Sequence, residues 1–548
     1  MKYIMKKNIF IYLAIAAFAI VTSCRTLDVA PPNSLTDEQI QDILKGDDEE
    51  AIDQIITAIG NNLQTNLNVS GATWTGYSSY PMNSQVDQDF LMSMRGNDVI
   101  LGTEQVANSS SNGHTTAYRL SSDNTFAKRG VTYPYFALGA LLTTNANKVL
   151  LYMTPEAAQT SAKVADFRAQ ALTVRAYAYM QFMERFQPAY MNGGKDGKGM
   201  PIYENYGTNA PSPISSATET YEFILTDLKE AVKLFAAKGY TDTPDDIDLG
   251  VAQFLLCRAA LWAGEWDTAI STGKSLTGHF SKFIKESHYG AKNEDFAAVC
   301  AGTKDVKVED NAFLCVDSDV NPEVIAGFRT GSGANPYLNG FANVYMPGEA
   351  GVSMLAPRID DRLYALIDDN DFRKRNYTTQ DGTYHYITDQ SAYDRVIPAY
   401  ANLKWGASIA KSYTERSFHV DCDQVIFRSA EAWLMLAEAY AQNGEDGNAK
   451  TTLNTLLAAR TKSGASTLTC DNYSSMSGMS ALKMVQLQTR IELWLENGRE
   501  FYNNKRWNIT VDRSGSTLHY AKQYTLSPAN MVLEVPLEET NTNTHWAD

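Results

Sequence analysis

The chain predicts a mainly α-helical fold: tetratricopeptide-like helix pairs forming a scaffold, with long irregular loops and a few short strands. Three observations predict it. Apolar residues recur at helical spacing in separated blocks, of which 162–186 is the clearest. A helix–turn–helix repeat pattern occurs twice. Between the blocks, 61–113 and most of 278–424 lose that periodicity and are rich in Gly, Ser, Asn and Tyr.

Taken in order, helical pattern opens at Leu35. Thr36 suits the N-cap, with Gln39 three residues on, as in a capping box. The apolar stripe continues through Ile40, Ile43, Ile52, Ile55, Ile56 and Ile59. Further helices are predicted over 133–152, 162–186, 219–237 and 251–263, with a flexible turn over 193–199. Helices are also predicted over 425–442, 448–460 and 481–497, followed by an extended segment over 528–536. Loops longer than about 15 residues in a compact domain are usually functional, which directs attention to the two irregular regions.

The better repeat copy comprises Trp433, Leu436, Ala437, Tyr440, Gly444, Ala449 and Leu453. Large residue, small residue and tyrosine share one face of the first helix, the glycine makes the turn, and Ala449 lets the second helix approach closely. Gly264, Trp266 and Ala269, after the apolar run 255–263, form a weaker second copy.

The N-terminus indicates export. Lys2, Lys6 and Lys7 precede an uncharged apolar run over 9–21, which ends in Thr22-Ser23-Cys24. The run falls short of the roughly 20 residues that span a bilayer, so residues 1–23 read as a signal peptide. Cys24 stands where a bacterial lipobox places its acylated cysteine; the plainer alternative is an ordinary secretory signal containing a cysteine. Residues 24–34, with Pro31-Pro32, then form a lipidated tether, and 24–548 a single globular domain. Multiple acyl chains anchor firmly where one is marginal.

Composition excludes several classes. The net charge is −16, and losing the three leader lysines makes it more negative still. Such a surface argues against nucleic acid and against docking flat on anionic lipid. Besides Cys24 the cysteines are Cys257, Cys300, Cys315, Cys422 and Cys470, with no C-x-x-C, so neither a zinc site nor a redox motif is signalled. None of the H-E-x-x-H, G-x-S-x-G or G-x-G-x-x-G patterns occurs. Gly273-Lys274-Ser275 looks like the end of a phosphate loop, but Thr268 replaces its first glycine. Asp317-x-Asp319-x-Asn321 opens like a calcium loop, but Pro322 replaces the turn glycine and Phe328 the closing glutamate. No metal or cofactor is therefore expected. Glu431, Glu438 and Glu496 lie on amphipathic helices with Arg428, Arg490, Arg499 and Arg506 nearby; they read as structural ion pairs rather than as the paired carboxylates of glycoside hydrolysis.

Several stretches together resemble the SusD/RagB nutrient-binding outer-membrane lipoproteins. They are Arg168–Leu172 with Arg175–Tyr179, Gly199-Met200-Pro201-Ile202, Phe427–Glu431 running to Leu436–Tyr440, and Arg490–Arg499 closed by Arg506-Trp507. Asp227-Leu228 with Ala231, and Val535-Pro536 with Glu539, are weaker matches. Asn497, between a glutamate and a glycine usually adjacent, and Thr542 after Asn541, where a proline is common, mark divergence. The resemblance implies a surface-exposed lipoprotein that is not an enzyme. It would bind an oligosaccharide or polysaccharide, sometimes a peptide, and cap a SusC-like TonB-dependent β-barrel in the outer membrane.

Two loops are the candidate ligand site. Trp74, Tyr77 and Tyr80 sit in a Gly/Ser-rich stretch where a core role is less natural, and Asp87, Asp89 and Arg95 follow. The second loop offers Arg329, Asn335, Tyr337, Asn339, Phe341 and Tyr345. In the resembled family an early loop meets a mid-chain loop in this way. A periplasm-facing scaffold binding only proteins, and a surface glycosidase, are the competing readings.

Overall fold

A computed structural model describes residues 35–63, 89, 91–100, 132–207, 210–241, 243–300, 308–329, 357–387, 392–405, 423–520, 522 and 524–547. The leader, Cys24 and the tether lie outside them.

The described chain begins with α1 (Asp37–Leu44) and α2 (Glu49–Gly60). Thr36 and Gln39 close the expected capping box on α1, at 3.2 and 2.9 Å. After β1 (Val99–Ile100) come α3 (Thr132–Leu150), α4 (Pro155–Thr160) and α5 (Ala162–Phe186). From Thr173 to its end α5 is buried on every side, because α3 and α6 pack against it from different directions. β2 (Lys198–Pro201) and β3 (Ile214–Ser216) form a small antiparallel pair that leads into α6 (Ala217–Phe235). Arg175 of α5 forks onto Asp227 of α6 at 2.8 and 2.9 Å and bonds Asn147 of α3 at 2.9 Å, tying three helices at one point.

The repeat reading is realised in α7 (Leu249–Ala263) and α8 (Trp266–His279), and again further along in two later helices. Gly264 turns between α7 and α8 in the left-handed region, at φ +75°. Gly273, the glycine of the false phosphate loop, is buried in α8, where a side chain would crowd Leu436.

α9 (Asn293–Cys300), β4 (Val324–Phe328), β5 (Arg358–Ile359), α10 (Asp361–Ala365) and the hairpin β6 (Gly382–Ile387) and β7 (Ala392–Ile397) occupy the middle of the chain. β8 (Gln424–Arg428) pairs with β4 in a bulged antiparallel ladder. The sequence reading began a helix at Val425. Instead Val425-Ile426-Phe427 is strand, since β4 satisfies its backbone, and α11 (Ser429–Gln442) starts only after it. α11 and α12 (Asp446–Ala459) form the second repeat pair, and α8 packs against α11. Ala437, Ala449 and Leu453 are buried at their contact, and Gly444 makes the turn at φ +79°.

α13 (Ala481–Glu492) is shorter than expected, and α14 (Arg499–Arg506) was not anticipated. Between them Leu495, Asn497 and Gly498 take left-handed conformations at φ 60°, 49° and 62°, which reverses the chain. β9 (Val511–Asp512) and β10 (Thr525–Leu526) pair, and α15 (Leu537–Thr542) lies near the C-terminus. The extended segment over 528–536 begins with a single 3-10 turn, Pro528–Asn530. Among the described residues, no helix is long and apolar enough to cross a membrane.

Candidate functional site

Of the loop residues singled out above, Trp74, Tyr77, Tyr80, Asp87, Asn335, Tyr337, Asn339, Phe341 and Tyr345 lie outside the described residues. Asp89 and Arg95 are described, and the structure places them in the interior rather than on a ligand-facing loop, at 6% and 0% exposure. Asp89 accepts from Arg185 of α5 at 3.1 Å, and the Arg95 guanidinium lies over the Phe501 ring of α14. Both fasten the segment around β1 to the helices, so they act in packing. Arg329 stays exposed and pairs with Asp317 at 2.6 Å, which commits the first acid of the calcium-like stretch to an arginine. Among the described residues no group of three or more His, Cys, Asp or Glu could hold a metal.

The glutamates on the helices meet arginines. Arg428, the last residue of β8, holds Glu323, Glu492 and Glu496 at 2.7 Å each. Arg460, at the end of α12, reaches Glu323 at 2.6 Å and Glu492 at 2.9 Å, and Arg373 reaches Glu492 at 2.9 Å. Tyr289 donates its hydroxyl to the same glutamate at 3.0 Å. Lys404 bonds Glu496, and Asp371 pairs with Arg373. In this cluster Glu323, Asp371, Glu492 and Glu496 face Arg373, Lys404, Arg428 and Arg460, and their formal charges cancel.

Burial alone would push the Glu492 carboxyl up, but Arg460, Arg428 and Arg373 outweigh it and hold it well below the usual carboxylate range. Burial pushes Lys404 down to about 8 against the opposing pull of Glu496. An ion set so fully enclosed and mutually bonded leaves no carboxylate open to a sugar.

Around the cluster, Glu438 pairs with Arg506 at 2.9 Å, Arg490 with Asp98 at 2.6 Å and Arg499 with Glu184 at 2.9 Å. Glu431 finds its partner outside the expected set, in Arg258 of α7 at 2.7 Å. Sequence reasoning missed Glu323, Arg373, Lys404 and Arg460. A charged residue directly closing an apolar run was the available signal for Arg460, but its partners come from remote segments.

The described surface carries a cleft that no motif announced. It has a volume of about 530 Å³, and besides Tyr179 and Phe182 of α5 and Met200 and Pro201 of β2 it is lined from three further places. α3 contributes Phe136 and Thr143, the loop after β2 contributes Tyr203 and Tyr206, and α15 and its end contribute Glu539 and Asn543. The loop is held from both sides: Asn147 donates to the Tyr203 carbonyl at 2.7 Å, and Asn543 to the Ser212 carbonyl at 2.9 Å. The cleft is therefore built before any ligand arrives. Clefts of about 300–1,000 Å³ with mostly apolar walls and a few fixed polar groups are the usual form of small-molecule sites.

Comparison with known proteins agrees with this architecture. Residues 327–546 match the sequence model of the SusD family. The fold is shared with a SusD-like carbohydrate binding protein from Bacteroides vulgatus, at 21% identity and a TM-score of 0.63, covering 89% of this chain and 96% of that one. A SusD superfamily protein from Parabacteroides distasonis matches at 12% identity and 0.63, over 90% and 98%. Another from Bacteroides thetaiotaomicron matches at 16% and 0.59, over 84% and 97%. No curated protein matches the sequence. Residues 327–546 match the SusD family's sequence model, and over most of its length the chain shares the fold of solved SusD-like proteins.

Proposed function

We propose that this protein is a cell-surface glycan-binding lipoprotein that delivers nutrient to a SusC-like TonB-dependent transporter and catalyses no reaction itself. The observation that carries the reading is the SusD-like fold over nearly the whole chain, shared with a protein described as carbohydrate binding. The enclosed ion cluster supports it, because the helix carboxylates that a glycosidase reading would draw on, Glu431, Glu438 and Glu496, are spent on arginines. Cys24 is the anchor, residues 24–548 act as one domain, and the partner is an outer-membrane β-barrel. The ligand-binding face comprises the early loop with Trp74, Tyr77 and Tyr80 and the mid-chain loop with Asn335, Tyr337, Asn339, Phe341 and Tyr345, next to Arg329.

Sugars present apolar C–H faces and many hydroxyls, so aromatic platforms beside amides suit them. The test is a glycan-binding screen of the mature protein, followed by titration of the best ligand. Trp74→Ala together with Tyr337→Ala is expected to weaken binding by roughly 1–3 kcal/mol while the melting temperature holds. Release of reducing sugar from that glycan would favour the enzyme reading instead, and an unchanged affinity would place the site off these loops.

A further inference from the structure

We infer that the cleft between α3, the loop after β2 and α15 is a second binding site, for a short neutral saccharide. It is built from residues separate from those of the two loops, and it rests on the carbohydrate-binding reading above.

The first argument is an unmet hydrogen bond. Thr143 lines the cleft, is 5% exposed, and its Oγ1 has no hydrogen-bond partner. Its neighbour Thr144 makes the ordinary back-bond to the carbonyl four residues earlier, at 2.8 Å. Thr143 forgoes that bond. A buried hydroxyl left this way calls for a partner from outside the chain, and a group that both donates and accepts meets it best. A sugar hydroxyl is such a group.

The second argument is the chemistry of the walls. Tyr206 is 41% exposed at the rim, and Leu537, also exposed, opens the helix that carries Glu539. Phe136 and Tyr203 continue the apolar surface inward. Such rings suit the C–H face of a pyranose. Glu539 accepts from Trp546 through Oε1 at 3.0 Å, which fixes its carboxylate and leaves Oε2 to receive a ligand hydroxyl. Among the described residues no lysine or arginine lines the cleft, its lining charge is an acid, and the nearby Lys148 ammonium lies over the Tyr206 ring at the rim. Anionic sugars are disfavoured by that balance, and neutral ones are not.

The third argument is preorganisation. The Asn147 and Asn543 bonds hold the tyrosine-bearing loop in place, so binding need not first order it. The half-open shape suits a chain end or a short oligosaccharide.

The test uses the mature protein and an array of neutral di- to tetrasaccharides, read by ligand-observed NMR and then by titration. Three proteins are compared: wild type, Tyr206→Ala with Thr143→Val, and Trp74→Ala with Tyr337→Ala. Tyr206 is exposed, and valine matches threonine in shape, so the cleft pair is expected to fold; its melting temperature verifies this, and Tyr206→Ala alone serves if Thr143→Val destabilises. The cleft variant is expected to lose one class of saccharide binding by roughly tenfold, and the loop variant to retain that class. If binding is unchanged in the cleft variant, the cleft is not a site, while the carbohydrate reading stands. If wild type binds no member of the array, the cleft proposal falls, and the broader glycan screen above decides the carbohydrate reading separately.

Discussion

Glu492 shows how much one residue can organise. Its carboxylate is wholly buried, accepts from Arg373, Arg428, Arg460 and Tyr289, and so ties α13 to α12, β8 and the mid-chain segment. A buried ion pair adds little over apolar packing, but removing one member strands the others. Glu492→Ala is therefore expected to cost about 3–5 kcal/mol in chemical denaturation; a loss below about 1 kcal/mol would show that the cluster is looser than it looks. The pH dependence has a definite sign. The folded carboxyl is held below its ordinary value of 4.5, so its stabilisation is complete above that value and is lost only as pH falls through the lower folded value. Acid titration of the melting temperature is expected to show wild type losing this contribution below about pH 4.5, with no matching loss in the variant. The sequence offered Glu496, the neighbour of Glu492, with Arg428 and other arginines, as ion-pair candidates. It did not offer Arg460 or Glu323, which lie 32 and 169 positions from Glu492 and meet it only in the folded chain.

At the scale of elements, the reversal between α13 and α14 is the instructive case. Apolar residues keep helical spacing through Leu487, Ile491 and Leu495, so a local reading continues the helix. The helix stops because tertiary bonds hold the reversal: Trp494 donates to the Asp98 carbonyl at 2.8 Å and Asn497 to the Ile426 carbonyl at 2.7 Å. Left-handed conformations at Leu495 and Asn497 cost on the order of 1–2 kcal/mol each for L-residues, which these contacts offset. Gly498 closes the turn at φ +62°, where an added Cβ would stand 2.7 Å from the Met92 Cβ. Gly444 has a similar φ of +79° but open space around it. Gly498→Ala is therefore expected to lower the denaturation midpoint more than Gly444→Ala, which carries the conformational cost of roughly 1–2 kcal/mol alone. Equal losses would mean that Met92 yields freely. Strand β8 shows the same dependence on context, since Val425-Ile426-Phe427 suits either structure until β4 lies beside it.

For the whole molecule, the helix pairs pack around the ion cluster, and the proposed role is to sit at a membrane on a lipid tether. Expressed beside a SusC-like β-barrel, the proposed partner, the wild-type protein is expected to fractionate with the membrane and to be captured with the barrel after mild detergent extraction. Cys24→Ala is expected to move it to the soluble fraction. A variant that stays with the membrane without the barrel would place the anchor elsewhere, and repeated capture of the protein alone would remove the proposed partner.

Sequence by itself determined the helical scaffold, because 3.6-residue periodicity, capping boxes such as Thr36 with Gln39, and the small residues Ala437, Gly444 and Ala449 act within a few residues of one another. It also marked some of the buried charges, Glu431, Glu438 and Glu496 among them, as ion-pair candidates. Tertiary structure alone decided the charge partners, the left-handed end of α13, the burial of Asp89 and Arg95, and the cleft. Each of these depends on groups from distant segments meeting: α3, the loop after β2 and α15 span most of the chain before Thr143, Tyr206 and Glu539 face one space. Periodicity records which way a residue faces along its own element, whereas a site depends on which elements it faces across.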